Sequence, residues 1–295
     1  MQQVTVRVPA STSNLGPGFD CLGVALRVYN DVVVTRGAKS RRQAIVEEAA
    51  DLFFHHTRRA PFLFSVSITD NIPPSRGLGG SVTVRLGVLL ALNALTGDRV
   101  DRLSIFQLCA QLEGHPDNAA PAILGGFTVV RGQTVQRFDV SARLSFVLLI
   151  PDFKITTSGA RRILPSQIMR VAAVKNCANA CAITAAFASG NYRNLRGAFA
   201  DHLHQPFRLK LIPFLPRVVA AAEKAGALGA FLSGSGSTIA AVTLHSPETV
   251  AAAMLHAVGT ALAKTLVTCA DNRGARVLPL RNQQVVHPPR RAIRN

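Results

Sequence analysis

Tryptophan is absent from these 295 residues and tyrosine occurs only twice, at Tyr29 and Tyr192. A chain so poor in large flat side chains offers little on which nucleic-acid bases could stack. Lysine is scarce too: six of the 33 basic residues, so arginines spread along the chain carry the net charge of +17. That charge would draw polyanions at low salt. Without aromatic interleaving it argues against a specific nucleic-acid role and reads as an arginine-rich compositional bias. The five cysteines, Cys21, Cys109, Cys177, Cys181 and Cys269, are scattered and odd in number, so free thiols are expected. Cys177 and Cys181 fall one helical turn apart, but no second pair of ligands accompanies them, and packing is the expectation. Long apolar runs are missing as well. The longest helical one, Val82 to Leu95, contains Arg85 and is too short to span a bilayer, which marks it as a buried core helix. No signal peptide is visible ahead of the strand-like Val4 to Val8, and a cytoplasmic protein without a membrane partner is expected.

What is present describes a folded chain. Apolar residues make up 48% and charged residues 17% of it, and the length suffices for two domains with separate cores. Val4 to Val8, Val24 to Val34 and Phe62 to Ile68 read as strands. Arg41 to His56, Val82 to Leu95 and a segment from near Asp98 to Leu112 read as helices, and Gly125 to Val130 with Thr134 to Val140 as a hairpin. A second pattern starts with the apolar strand Leu144 to Ile150. Helices over Val171 to Ala188, Asn191 to Leu203 and Pro213 to Ala225 follow, then strands Leu228 to Leu232 and Thr238 to Leu244, a helix Pro247 to Ala263 and a strand Leu266 to Cys269. This strand-helix-strand-strand-helix-strand order is the ferredoxin-like arrangement, and the class is α+β.

The densest chemistry lies in Pro73-Pro74-Ser75-Arg76-Gly77-Leu78-Gly79-Gly80-Ser81, between an apolar run and a helix. Glycines let backbone N–H groups turn inward on a phosphate, and the following helix adds its positive dipole end. The same spacing also suits a plain strand-to-helix turn, with Arg76 a solvated charge. Two further segments are Pro9-Ala10-Ser11-Thr12-Ser13-Asn14-Leu15-Gly16-Pro17-Gly18-Phe19-Asp20 and Leu112-Glu113-Gly114-His115-Pro116-Asp117-Asn118-Ala119-Ala120-Pro121-Ala122. Taken alone, Asn14 and Asp20 could be turn formers, and Asp117 or Asn118 a helix cap.

Together with Leu232-Ser233-Gly234-Ser235-Gly236-Ser237-Thr238, these segments resemble, in order and spacing, the GHMP superfamily of small-molecule kinases and, within it, the homoserine kinases. The resemblance runs from about Val4 to about Leu280. It implies a two-domain fold: an N-terminal ATP-binding domain over residues 1–143 and a C-terminal ferredoxin-like domain over 144–280, with a basic tail, 281–295, expected to be disordered. It implies ATP and Mg²⁺, with the ATP phosphates covered by Pro73, Pro74, Ser75, Arg76, Gly77, Leu78, Gly79, Gly80, Ser81 and Val82. The acceptor would be L-homoserine, a zwitterion whose site should set a cation against the carboxylate and an anion against the ammonium. By resemblance Arg161 and Arg208 clamp the carboxylate, Asp20 and Asp117 face the ammonium, and Asn14, His115 and Asn118 lie near the hydroxyl, with Thr157 and Gly234 beside them. Asp20, His115 and Asn118 are the candidate catalytic residues. The substrate hydroxyl is itself the nucleophile, so electrostatics can carry the transfer without a protein base, although Asp20 could serve as one. A homodimer is compatible with the family. Rival readings are another GHMP small-molecule kinase or a non-catalytic nucleotide or nucleic-acid binder.

Two departures from the family pattern stand out. Gly80 occupies a position where the family carries serine, which removes a hydroxyl from the cradle. The family's acidic magnesium ligand falls by resemblance on Gln111, an amide and a poor ligand for a hard cation, with Glu113 two residues on. Ser81, Gln111 and Glu113 are therefore the candidate metal ligands.

Overall fold

The computed structural model describes residues 2–37 and 43–279. Strands β1 (Gln3–Ser13) and β2 (Leu22–Arg36) form a long antiparallel ladder from Gln3↔Thr35 to Ser13↔Gly23, with its register shifted between Pro9 and Ala10. Proline has no N–H to give to a ladder, so an irregularity at Pro9 is where one is expected. β2 is long enough to carry two partners on one edge: β3 (Phe64–Thr69) along Asp31 to Arg36 and β4 (Phe127–Arg131) along Leu22 to Val24. β4 continues into the hairpin strand β5 (Thr134–Phe138). Four helices cover one face: α1 (Ala44–Thr57), α2 (Gly80–Leu95), α3 (Arg102–Glu113) and α4 (Ala119–Leu124). Val6, Val8, Val32 and Val34 of the strands pack there against Phe53, Leu86, Leu89 and Phe106. Each such side chain removed from water contributes roughly 1.5–3 kcal/mol.

The second layer contains β6 (Ser145–Pro151), α5 (Thr157–Arg162), α6 (Arg170–Ser189), α7 (Gln205–Arg208), α8 (Leu215–Lys224), β7 (Gly229–Leu232), β8 (Ile239–Thr243), α9 (Pro247–Val258) and β9 (Ala263–Cys269). Its sheet is antiparallel in the order β7-β8-β6-β9, the ferredoxin-like arrangement expected from the sequence. A core between the two layers is centred on Leu26, Phe127, Phe146, Phe187 and Phe231, with Phe127 and Phe187 stacked at 4.2 Å. After β9 the chain crosses back: β10 (Arg276–Val277) pairs with β1, so this last piece of the expected second domain lies in the first sheet.

Several element boundaries differ from expectation for local reasons. Asn191 to Leu203 is not a helix but a 3-10 turn at Tyr192–Leu195 followed by irregular chain. Gly197 takes φ +80°, and the Asp201 carboxylate accepts from the backbone N–H groups of Leu203, His204 and Gln205, a local alternative to helical bonding. The third helix is capped by Asp101, whose carboxylate accepts from Leu103 and Ser104, and not from near Asp98. The helix begun at Pro247 stops at Val258 before Gly259, and β9 starts earlier than Leu266. α6 is 20 residues long and, by length and composition, the one described helix apolar enough to cross a membrane, a feature the sequence reading missed. Arg41 and Arg42 of the expected first helix, and the tail 281–295, lie outside the described residues.

The two layers meet where the end of β1 touches the β7–β8 loop. Thr12 Oγ1 lies 2.8 Å from Ser233 Oγ, and the N–H groups of Gly234 and Thr238 donate to Ser13 O and Arg76 O. The glycine loop is held in this seam.

Candidate active site

A cleft of about 490 Å³ opens at the seam. One wall is the glycine loop, whose shape depends on two glycines. Gly77 and Gly79 take φ +74° and +69°, and a Cβ would collide with the Ser233 carbonyl at the first and with the Ser11 hydroxyl at the second. Gly79 is the N-cap of α2 and supplies no side-chain cap, and the first turn of α2 carries no acidic residue. The first-turn N–H groups of a 16-residue helix are therefore left to serve an anion at its positive end. Pro74, Ser75, Gly77, Gly79, Gly80, Ser81 and Val82 line the cleft; Pro73 stands outside the lining. Leu78 is buried in the core between the layers. Arg76 is placed differently from its expected position beside the phosphates. Its Nε donates to Pro151 O at 2.9 Å and its Nη2 to Asp152 Oδ1 at 3.2 Å, so it fastens the loop to the end of β6.

Beside the loop Ser81 Oγ donates to Glu113 Oε2 at 2.9 Å. The other carboxylate oxygen accepts from Arg85 Nη1 at 2.6 Å, and Arg85 Nη2 reaches Glu48 of α1 at 2.8 Å. Gln111 is exposed and does not line the cleft, so of the two acidic-position candidates only Glu113 stands at the site. Among the described residues no three His, Cys, Asp or Glu side chains cluster as a metal cage. A hydroxyl and one carboxylate oxygen are hard donors, a set that fits a Mg²⁺ ion drawing its other ligands from water and phosphate.

The opposite wall is built by four segments. Asn14, in a left-handed conformation at φ 70°, donates from Nδ2 to Gly234 O and accepts at Oδ1 from the Asp20 N–H. Asp20 is gripped by both terminal nitrogens of Arg161, at 2.6 and 2.9 Å. Arg161 comes from α5, which Thr156 caps through the Gly159 N–H, and Thr157 lines the cleft beside it. Arg208 of α7 is 2% exposed and donates to Gly234 O at 2.9 Å and Ala160 O at 3.3 Å. Burial, then repulsion from Arg161, pushes its pKa down to about 10, which still leaves it charged near neutrality. Asn118 sits at the start of α4 without capping it. Its amide instead bridges β1, accepting from Ser11 Oγ at 2.8 Å and donating to Ser13 Oγ at 2.9 Å. His115 Nδ1 lies 3.2 Å from Asp117 Oδ1; burial disfavours the imidazolium, but the buried carboxylate outweighs it and raises the pKa.

The structure thus brings Asn14, Asp20, His115, Asp117, Asn118, Thr157, Arg161, Arg208 and Gly234 to one cleft with the cradle and Glu113. Sequence reasoning missed Phe19, whose ring lies 5.2 and 5.5 Å from the two guanidinium carbons, and His204, which bonds Arg208. Phe19 stood inside a quoted segment, but nothing local marked the role of either residue. It also missed the apolar end of the cleft, where Ile45, Val66, Ile68, Ile72 and Val84 face Asn30 and Asp70.

Comparison with known proteins gives concordant results. The family model "GHMP kinases N terminal domain" matches residues 44–126 and "GHMP kinases C terminal" matches residues 182–263. A homoserine kinase of Caldicellulosiruptor bescii is 37% identical, with 95% of this chain and 98% of that protein covered. One of Nostoc punctiforme is 38% identical over 82% and 87% of the two chains. The crystal structure of a homoserine kinase from Cytophaga hutchinsonii superimposes with a TM-score of 0.86 at 25% identity, covering 94% of this chain and 98% of that one. A Methanococcus jannaschii mevalonate kinase, with a TM-score of 0.69 at 14% identity over 90% and 97%, shares the fold.

Proposed function

The chain belongs to the homoserine kinases of the GHMP kinase family, and we propose that its cleft transfers the γ-phosphoryl group of ATP to the side-chain hydroxyl of L-homoserine, yielding O-phospho-L-homoserine for threonine synthesis. One observation carries this reading: an anion cradle at a helix N-terminus and an Asp20–Arg161 ion pair beside a buried Arg208 face the same cavity. The pair is matched to a zwitterion. An entering amino acid can exchange it for two new pairs, its ammonium on Asp20 and its carboxylate on Arg161 and Arg208, so no charge is left uncompensated. Asn14 and Asn118, each fixed by two hydrogen bonds, then hold the substrate end of the site rigid.

The apolar end of the cleft offers the place for the nucleotide base, and the glycine loop the place for the phosphates. Ser81 and Glu113 would hold Mg²⁺, which when bound neutralises charge on the phosphate oxygens. The acceptor oxygen is the nucleophile, and His115, poised toward its charged form by Asp117, stabilises negative charge near the transferring group. In this reading residues 1–143, joined by β10 of the last segment, act as the ATP-binding unit, and the remainder of 144–280 supplies the arginines that clamp the acceptor, in a cytoplasmic enzyme. The test is ADP release with L-homoserine, L-threonine, L-serine and mevalonate offered in parallel. Homoserine is expected to give the highest kcat/KM, by at least an order of magnitude over mevalonate, which has no ammonium for Asp20 and so forfeits a charge-assisted contact worth roughly 1.5–3 kcal/mol; a preference for mevalonate would overturn the acceptor assignment.

A further inference from the structure

Arg208 is one of the largest fully buried side chains, and its hydrogen bonds go to neutral partners: the Ala160 and Gly234 carbonyl oxygens and, at 3.1 Å, Nδ1 of His204. A buried guanidinium paired with a carboxylate would already be neutralised, and a substrate carboxylate would have to displace that partner. Held by neutral acceptors, its charge stays available.

His204 is itself completely buried and fastened from three directions. Its Nε2 lies 2.8 Å from Gly16 O, an acceptor, so Nε2 carries the hydrogen and the Nδ1 lone pair faces Arg208. The ring stacks on Phe19 with centroids 5.1 Å apart and planes 29° from parallel. Its backbone N–H donates to Asp201 Oδ2 at 3.0 Å, the carboxylate that also fixes Leu203 and Gln205. Phe19 in turn lies against both clamp guanidinium groups. A side chain with four rotatable torsions is in this way aimed by an acceptor that cannot turn. Burial also keeps the imidazole neutral, so it does not repel Arg208.

We propose that His204 is a positioning residue for acceptor recognition: a neutral imidazole, locked between Gly16 and Phe19, that aims the uncompensated charge of Arg208 at the substrate's carboxylate. This rests on the reading of Arg208 as a carboxylate clamp, and the experiment separates the two. L-homoserine is compared with 3-aminopropan-1-ol, the same amino alcohol without its carboxylate, in wild type, His204→Leu, His204→Gln and Arg208→Ala. His204→Leu is expected to raise the KM for homoserine about tenfold or more, the worth of one hydrogen bond to a charged group. Its kcat, the KM for ATP and the kinetics with 3-aminopropan-1-ol should stay within about twofold of wild type, a range well below one such bond. His204→Gln, whose amide can still accept from Arg208 and donate to Gly16, should recover most of the loss. Equal losses with both acceptors would assign His204 a purely structural role and overturn the proposal, as would an unchanged KM. An Arg208→Ala enzyme that keeps the wild-type ratio between the two acceptors would instead remove the clamp itself. If His204→Leu fails to fold, His204→Met, apolar, unbranched and able to fill the same buried space, carries the same expectations.

Discussion

At the scale of single residues the glycine loop separates two kinds of glycine. Gly79 is required by geometry: its φ of +69° disfavours any side chain, and a Cβ there meets the Ser11 hydroxyl that holds Asn118. Gly80 is not, because the atom nearest a Cβ there is Pro74 Cα at 3.7 Å, an ordinary contact. Gly79→Val should therefore abolish the thermal stabilisation given by ATP, whereas Gly80→Ser should fold normally and bind ATP at least as tightly, its hydroxyl adding a donor to the cradle. Thermal shift titrations with ATP on both variants check this. A folded Gly79→Val protein still stabilised by ATP would reduce the loop to a structural turn. The same contrast shows what a sequence can say. Three glycines before a helix announce a tight turn, but only coordinates reveal which of them has the Ser11 side chain against it.

At the scale of elements, α3 bears on which of two residues could serve a metal. Residues 111 and 113 lie about 200° apart around a helix, so only one can face Ser81. It is Glu113, at the last residue before Gly114 turns the chain in a left-handed conformation. Glu113→Gln should raise the Mg²⁺ concentration needed for half-maximal activity and lower kcat, and it should weaken Mn²⁺ binding read by electron paramagnetic resonance. Gln111→Glu, exposed and away from the cleft, should leave both near wild type; a tighter Mn²⁺ site in that variant would reverse the assignment. Spacing in the sequence could narrow the acidic candidate to within two residues but could not tell the helix face. The ferredoxin-like half was legible because β-branched runs and apolar periodicity alternate there without conflict. Asn191 to Leu203 was not, since Gly197 and the Asp201 carboxylate override a helical pattern. Asn14, Asp20, Arg161 and Arg208 were legible only as parts of family segments. Phe19, His204 and Arg85 act through partners far along the chain, as His204 does with Gly16, 188 residues away, and no local pattern encodes such a contact.

At the scale of the whole molecule, function depends on the seam between layers, and the same buried histidine ties that seam to global stability. His204, from the second layer, holds the Gly16 carbonyl in the connection between β1 and β2. Burial pushes its pKa down to about 4 from the usual 6.5, with Arg208 adding to the fall against the opposing pull of Asp201. The folded protein keeps the ring neutral while the unfolded chain takes up a proton below 6.5, so this contribution is complete above pH 6.5 and is lost as pH falls toward 4. His115 runs the other way. Its pKa is raised, so its contribution is complete below 6.5 and is lost as pH climbs through that raised value. Urea unfolding followed from pH 4.5 to 8 should therefore show stability falling on the acid side of 6.5 with a slope approaching one proton, ~1.4 kcal/mol per pH unit. A shallower fall should appear on the alkaline side. His204→Gln should flatten the acid limb alone and His115→Gln the alkaline limb alone. Carboxylates lose their charge mostly below this window, so an acid limb that keeps its full slope in His204→Gln would mean that the seam is not held by a neutral imidazole.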